Sequence, residues 1–162
     1  MERESFNSFE VLKMAQAIEK KGMDYYQHHA AKTDNKDLEK LFLKLKEEEK
    51  KHYQKIDEIK EKIGDSNNED YQYLNDPRVN GYLKTLVEFT IFPDDISKED
   101  MLKTDTIDEI ILIAIMAEKE SILFYQELLS ANEGRSAEII EKLIEEEKQH
   151  LQDLTKISNN YS

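Results

Sequence analysis

The 162-residue sequence contains no cysteine, which excludes disulfides, thiolate zinc sites, iron–sulfur clusters and thiol nucleophiles together. It has only 4 glycines and 2 prolines, a scarcity that suits long helices rather than sheets and tight turns. Long apolar runs are missing as well. The longest, Ile110 to Ala117, is too short to span a bilayer, and Met1 to Phe9 has no apolar stretch of signal-peptide length. The expectation is therefore a cytoplasmic protein with no membrane association. Basic residues are in deficit, 23 against 36 acidic ones, for a formal charge of -13. Such an exterior repels a phosphate backbone, so nucleic acid is excluded as a partner. What is abundant is charge, at 36% of residues, with many Glu, Lys, Leu and Ile, all compatible with helices. Length and composition together predict one all-α domain over residues 1–162 with a single core.

Periodicity locates the helices. Phe9, Leu12, Gln16, Glu19, Met23, Tyr26 and Ala30 step by three and four, as one helical face does, over about residues 8–32, with Ser8 as N-cap. Leu38, Phe42, Leu45, Glu49, His52, Ile56, Ile59 and Ile63 do the same over about 36–63, ending at Gly64. A third stripe, Ile107, Ile111, Ala114, Glu118, Ser121, Tyr125 and Leu128, spans about 106–131 and is introduced by Thr106-Ile107-Asp108-Glu109, a capping-box pattern. The fourth, Ile140, Leu143, Glu147, His150, Leu154 and Ile157, spans about 136–158. Thr33-Asp34-Asn35 and Asn132-Glu133-Gly134 are short links, so the four helices form two antiparallel hairpins. Residues 64–105 join the hairpins as a crossover long enough to run the length of the bundle. Asp76-Pro77 opens a short helix within it, over about 77–91.

The hairpins repeat one another. Glu19 through Tyr26 parallels Glu118 through Tyr125, and Glu48-Glu49-Lys-Lys-His52 parallels Glu146-Glu147-Lys-Gln-His150, at offsets of 99 and 98 residues. An approximate two-fold axis would bring equivalent side chains to the centre.

Each stripe is apolar except at Glu19, at Glu49 with His52, at Glu118, and at Glu147 with His150. A buried carboxylate is costly by several kcal/mol, and these stripes supply no Lys or Arg to compensate it, so four carboxylates require protons or metal. Glu and His at i and i+3 project from one helical face and can bind the same ion. Glu19 and Glu49 each lie 15 residues from Asp34, which places both about 22 Å from the turn at about 1.5 Å per residue. Glu118 and Glu147 are 14 or 15 residues from the Asn132-Glu133 turn, so the four meet on one level when the hairpins pack in register. Four carboxylates and two imidazoles suit hard to borderline ions, iron or manganese first and zinc as a further occupant. Tyr26 and Tyr125 lie two turns beyond Glu19 and Glu118 on the same stripes and are candidates to hydrogen-bond a carboxylate. His28 and His29 fall off the stripe and are expected to be exposed. Glu48 and Glu146 point about 100° away from the ligands beside them, as surface or supporting groups.

On these segments, Ala17-Ile-Glu19 through Tyr26, Glu48 to His52, Ala117-Glu118 through Tyr125 and Glu146 to His150, the sequence resembles the rubrerythrin-type di-iron proteins of the ferritin-like superfamily. The resemblance implies a ferritin-like four-helix bundle holding two iron ions. By it, Glu49 and Glu147 would bridge the ions, Glu19 and Glu118 would be terminal carboxylates, and His52 and His150 would each complete one shell. It implies an oxidoreductase that oxidises Fe(II) with hydrogen peroxide or oxygen in oxidative-stress defence, and association as a homodimer, for which Tyr71, Tyr73, Tyr82 and Phe92 are candidate contacts. Two departures stand out. Rubrerythrins carry a rubredoxin-like domain whose cysteines deliver electrons, and without cysteine this chain would need a separate donor such as a rubredoxin-like protein. Ser121 occupies the position where peroxide-reducing members have an additional Glu. The alternatives are iron storage with ferroxidase activity, of ferritin or bacterioferritin type, and a structural metal site without turnover. Storage ranks lower because Ser158 to Ser162 is too short for the fifth helix such cages often use.

Overall fold

A computed structural model describes residues 8–64, 78, 81–82, 85–86, 106–130 and 137–160. Four long helices account for nearly all of them: α1 (Ser8–Lys32), α2 (Lys36–Gly64), α3 (Ile107–Ser130) and α4 (Ala137–Asn159). Helices α1 and α2 form one antiparallel hairpin and α3 and α4 the other, and the hairpins meet along α1 against α3 and α2 against α4. The fold is an all-α four-helix bundle, as the stripes predict.

Local chemistry sets the helix ends. The Thr33 N–H donates to the His29 carbonyl at 3.1 Å, closing α1. Asn35 then caps α2, its Oδ1 accepting from the Leu38 N–H at 3.0 Å, while its own N–H donates to Thr33 Oγ1 at 3.1 Å. Side-chain oxygens at an N-cap satisfy donors that the first helical turn leaves without partners. At the start of α3, Thr106 Oγ1 accepts from the Glu109 N–H at 3.3 Å, the cap expected from its sequence pattern. Asp37 and Glu39, and Asp108 and Glu109, put negative charge into the first turns of α2 and α3, where the helix dipole favours it.

The core is divided in two. One apolar cluster joins Leu12, Ala15 and Ile18 to Ile56, Ile59, Phe124, Tyr125, Leu128, Ile140, Leu143 and Ile144. The other joins Tyr25, Tyr26 and Ala30 to Leu38, Phe42, Leu45, Ile111, Ala114, Ala117, Leu154 and Ile157. In every helix the Glu and His positions fall between these clusters, so a polar layer lies at mid-height with apolar packing on both sides. Each fully buried Leu, Ile or Phe side chain contributes about 1.5–3 kcal/mol, and the two clusters together hold the polar layer away from water.

Of the crossover helix expected over 77–91, Arg78, Gly81, Tyr82, Thr85 and Leu86 are described, and each is helical. Leu86 packs against the first cluster, and Tyr82 is 43% exposed. Asp76, Pro77, Gly134, Tyr71, Tyr73 and Phe92 lie outside the described residues, as does most of the crossover. Among the described residues no helix is long and apolar enough to cross a membrane.

Candidate metal centre

The bundle brings all six predicted side chains into one cluster. Glu19, Glu49, His52, Glu118, Glu147 and His150 are each at most 4% exposed, although they arise from four helices. Their donor atoms form two sets, Glu19, Glu49, His52 and Glu147 in one and Glu49, Glu118, Glu147 and His150 in the other, with the atoms of each set within 4.8 Å of one another. Glu49 and Glu147 belong to both.

The distances show why these two are shared. Glu147 Oε1 is 3.1 Å from His52 Nδ1 and its Oε2 is 3.1 Å from His150 Nδ1. Glu49 Oε2 is 3.8 Å from His52 Nδ1, and its Oε1 is 3.1 Å from His150 Nδ1 without hydrogen-bond geometry. Each carboxylate therefore reaches both imidazoles. Glu19 and Glu118 reach one each, at 3.6 Å from His52 Nδ1 and 3.5 Å from His150 Nδ1 respectively. The two rings lie 5.5 Å apart and nearly parallel.

Around this cluster a second set of contacts crosses between hairpins. The outer nitrogen of His52 faces Glu146 Oε2 at 2.9 Å, and that of His150 faces Glu48 Oε2 at 2.7 Å. A proton held on Nε2 by such a carboxylate leaves Nδ1 as the lone-pair donor toward the centre, which fixes tautomer and ring orientation. The Tyr26 hydroxyl donates to Glu118 Oε1 at 2.5 Å, and the Tyr125 hydroxyl donates to Glu19 Oε1. The tyrosines thus serve the carboxylate of the opposite hairpin rather than the one on their own helix. A two-turn spacing cannot bring side chains on one helix into contact, whereas the two-fold arrangement sets them opposite each other.

Burial and mutual charge shift the titration of the clustered side chains. Burial, and then the Glu49 charge, raises Glu19 well above the usual carboxylate range. Glu118 and Glu147 influence each other's titration. Burial and the Glu118 charge raise Glu147, while Glu118 is held low because hydrogen bonds to Glu147 and His150 outweigh its burial. Burial pulls both histidines down, but contacts with the surrounding carboxylates hold them above the usual range. Histidines held toward their protonated form must give up a proton to bind metal, so metal binding here is linked to proton release.

Metal fits this site. Glu19 Oε2 and Glu49 Oε1 are buried without a hydrogen-bond partner, a costly condition that a cation relieves. Oxygen and imidazole donors in this number suit hard to borderline divalent ions. A rubrerythrin family model matches residues 10–158. The chain belongs to the rubrerythrin family. No curated protein and no solved structure matches it. None of the 162 residues is a cysteine, so none of them offers a thiolate to iron.

The expectation that His28 and His29 are exposed fails. His28 is half-buried, and His29 is 5% exposed because Tyr25, one turn earlier, covers it with ring centroids 4.5 Å apart. It lies toward the hairpin turn, away from the metal cluster. The roles of Glu48 and Glu146 were legible only as neighbours of ligands. The repeated Glu-Glu-x-x-His pattern was the available signal, but which histidine each glutamate meets depends on the docking of the hairpins. Ser121 is buried, and among the described residues no fifth carboxylate joins either donor set.

Proposed function

We propose that this chain is a di-iron oxidoreductase that oxidises Fe(II) with hydrogen peroxide or oxygen. The observation that carries the reading is the pair of donor sets sharing Glu49 and Glu147, since two carboxylates common to both sets suit two ions rather than one. Two bound ferrous ions supply one electron each, enough, with two protons, to convert one hydrogen peroxide to two waters. The protein's part is to hold and orient. Glu49 and Glu147 span the two positions, while Glu48 and Glu146 fix the imidazoles. Tyr26 and Tyr125 hold one oxygen of each terminal carboxylate, and the apolar clusters on either side limit water. Re-reduction falls to a separate donor, such as a rubredoxin-like protein, because no cysteine is present to hold an iron–sulfur centre. A homodimer acting in the cytoplasm belongs to the same reading.

Anaerobic loading with Fe(II), counting iron per chain and then following absorbance after hydrogen peroxide or oxygen, tests it. Two irons per chain and fast oxidation by either oxidant is the expected result. Faster reaction with oxygen accompanied by continued iron uptake assigns storage instead. Two irons that react with neither oxidant make the site structural.

A further inference from the structure

The internal repeat makes the two metal positions look equivalent, but the seam between α2 and α4 that covers both histidines is not symmetric. On the His150 side, Lys44 Nζ donates to Asp153 Oδ2 across the seam at 3.1 Å, and Gln149 Nε2 donates to Asp153 Oδ1 at 2.9 Å. Lys44 lies one turn before Glu48, the glutamate that holds His150. The offset of 98 residues between α2 and α4 maps Lys44 to Lys142 and Asp153 to Lys55. The corresponding positions on the His52 side are two lysines, of which Lys55 pairs within its own helix with Glu58 at 3.6 Å, so the cross-seam brace has no counterpart there.

The seam is uneven in shape as well. A cleft of about 120 Å³ opens on it, lined by Glu48, Lys51, His52, Glu146 and Gln149. His52 lines the cleft and His150 does not. The volume corresponds to about four water molecules, room for a partly hydrated cation. Glu146, the carboxylate that holds His52, is 45% exposed at its side chain against 31% for Glu48. Among the described residues Glu146 has no Lys or Arg within ion-pair distance, its one ion-pair partner being His52. Its hold on His52 Nε2 at 2.9 Å is the contact on the cleft side that keeps that imidazole from turning outward.

We propose, building on the di-iron reading, that the two metal positions are kinetically unlike: the ion at Glu19 and His52 exchanges through the α2–α4 cleft with Glu146 as its gate, whereas the ion at Glu118 and His150 is retained. Glu146 acts here through His52, as a positioning residue. Lys44 and Asp153 brace the retained side by keeping the seam closed beside Glu48.

The test is metal release, independent of turnover. The whole chain is loaded anaerobically with Fe(II), bound iron is counted, and an excess of bipyridine follows departure by absorbance. The expected result is two phases of one iron each. Glu146→Ala speeds the fast phase about ten-fold, the scale on which partners of a metal-bound histidine act, and leaves the slow phase unchanged. Glu146→Gln, whose amide oxygen still accepts from Nε2, keeps release close to that of the unmodified chain. Asp153→Asn, half-buried and outside the ligand set, speeds only the slow phase, by about three-fold as suits a partly exposed ion pair. Two irons leaving in a single phase, or both variants accelerating the same phase, overturns the proposal while leaving the di-iron reading intact. Fewer than two irons bound at the start overturns the di-iron reading, and the proposal with it.

Discussion

His29 offers a way to separate a structural histidine from the two in the metal cluster. Burial, with the nearby His28 and Lys32 charges adding to it, lowers its pKa from 6.5 to about 4. Its Nε2 has no hydrogen-bond partner, so the folded state holds it neutral and the unfolded chain binds the proton more readily. The stability it contributes is present above pH 6.5 and is lost as the pH falls toward 4. The full difference is worth about 3 kcal/mol, and about 2 kcal/mol of it is lost between pH 7 and pH 5. Replacing His29 with Leu, of similar volume and without a titratable group, removes this dependence. Urea unfolding of both metal-free proteins at several pH values checks it. With a slope of about 2 kcal/mol per molar urea, the midpoint of the unmodified chain should fall about 1 M further than that of the variant between pH 7 and pH 5. The carboxylates and the other histidines titrate in both proteins and cancel in the comparison. Parallel pH curves would refute the reasoning, placing His29 in solvent or giving it a partner.

The centre itself supports further tests. Tyr26→Phe and Tyr125→Phe each remove a buried hydroxyl from a carboxylate, and each should weaken Fe(II) binding about ten-fold by calorimetric titration while helical circular dichroism stays unchanged. Metal should also stabilise the fold. At one hundred times the dissociation constant each ion contributes about 2.7 kcal/mol, so a doubly loaded chain should melt on the order of 10–20 °C higher than the metal-free one, and a chelator should reverse the shift. Glu49→Ala combined with Glu147→Ala should show neither that shift nor paired metal while remaining helical, and full iron occupancy in the double variant would overturn the assignment of the shared carboxylates.

The helices and the centre were unusually legible because both depend on spacing along the chain. A stripe at intervals of three and four fixes which residues face inward, and a carboxylate on such a stripe is conspicuous because its burial is costly without compensation. Equal distances from two short turns then put Glu19, Glu49, Glu118 and Glu147 on one level. His29 was misjudged because a stripe marks only one face, whereas a helix one turn from a hairpin end is covered by its own Tyr25 as well.

By itself, then, the sequence determined the four helices, their pairing and the six buried polar side chains, since each follows from local periodicity and from the cost of burying charge. The partners across the interface were decided only by the docking of one hairpin on the other. That docking joins Tyr26 to Glu118, Tyr125 to Glu19, His52 to Glu146 and His150 to Glu48. It also makes Lys44 and Asp153 a brace on one side of the α2–α4 seam, while the repeat supplies two lysines on the other. Contacts of this kind join residues about a hundred positions apart, and periodicity along one helix carries no information about the rotation and register of another.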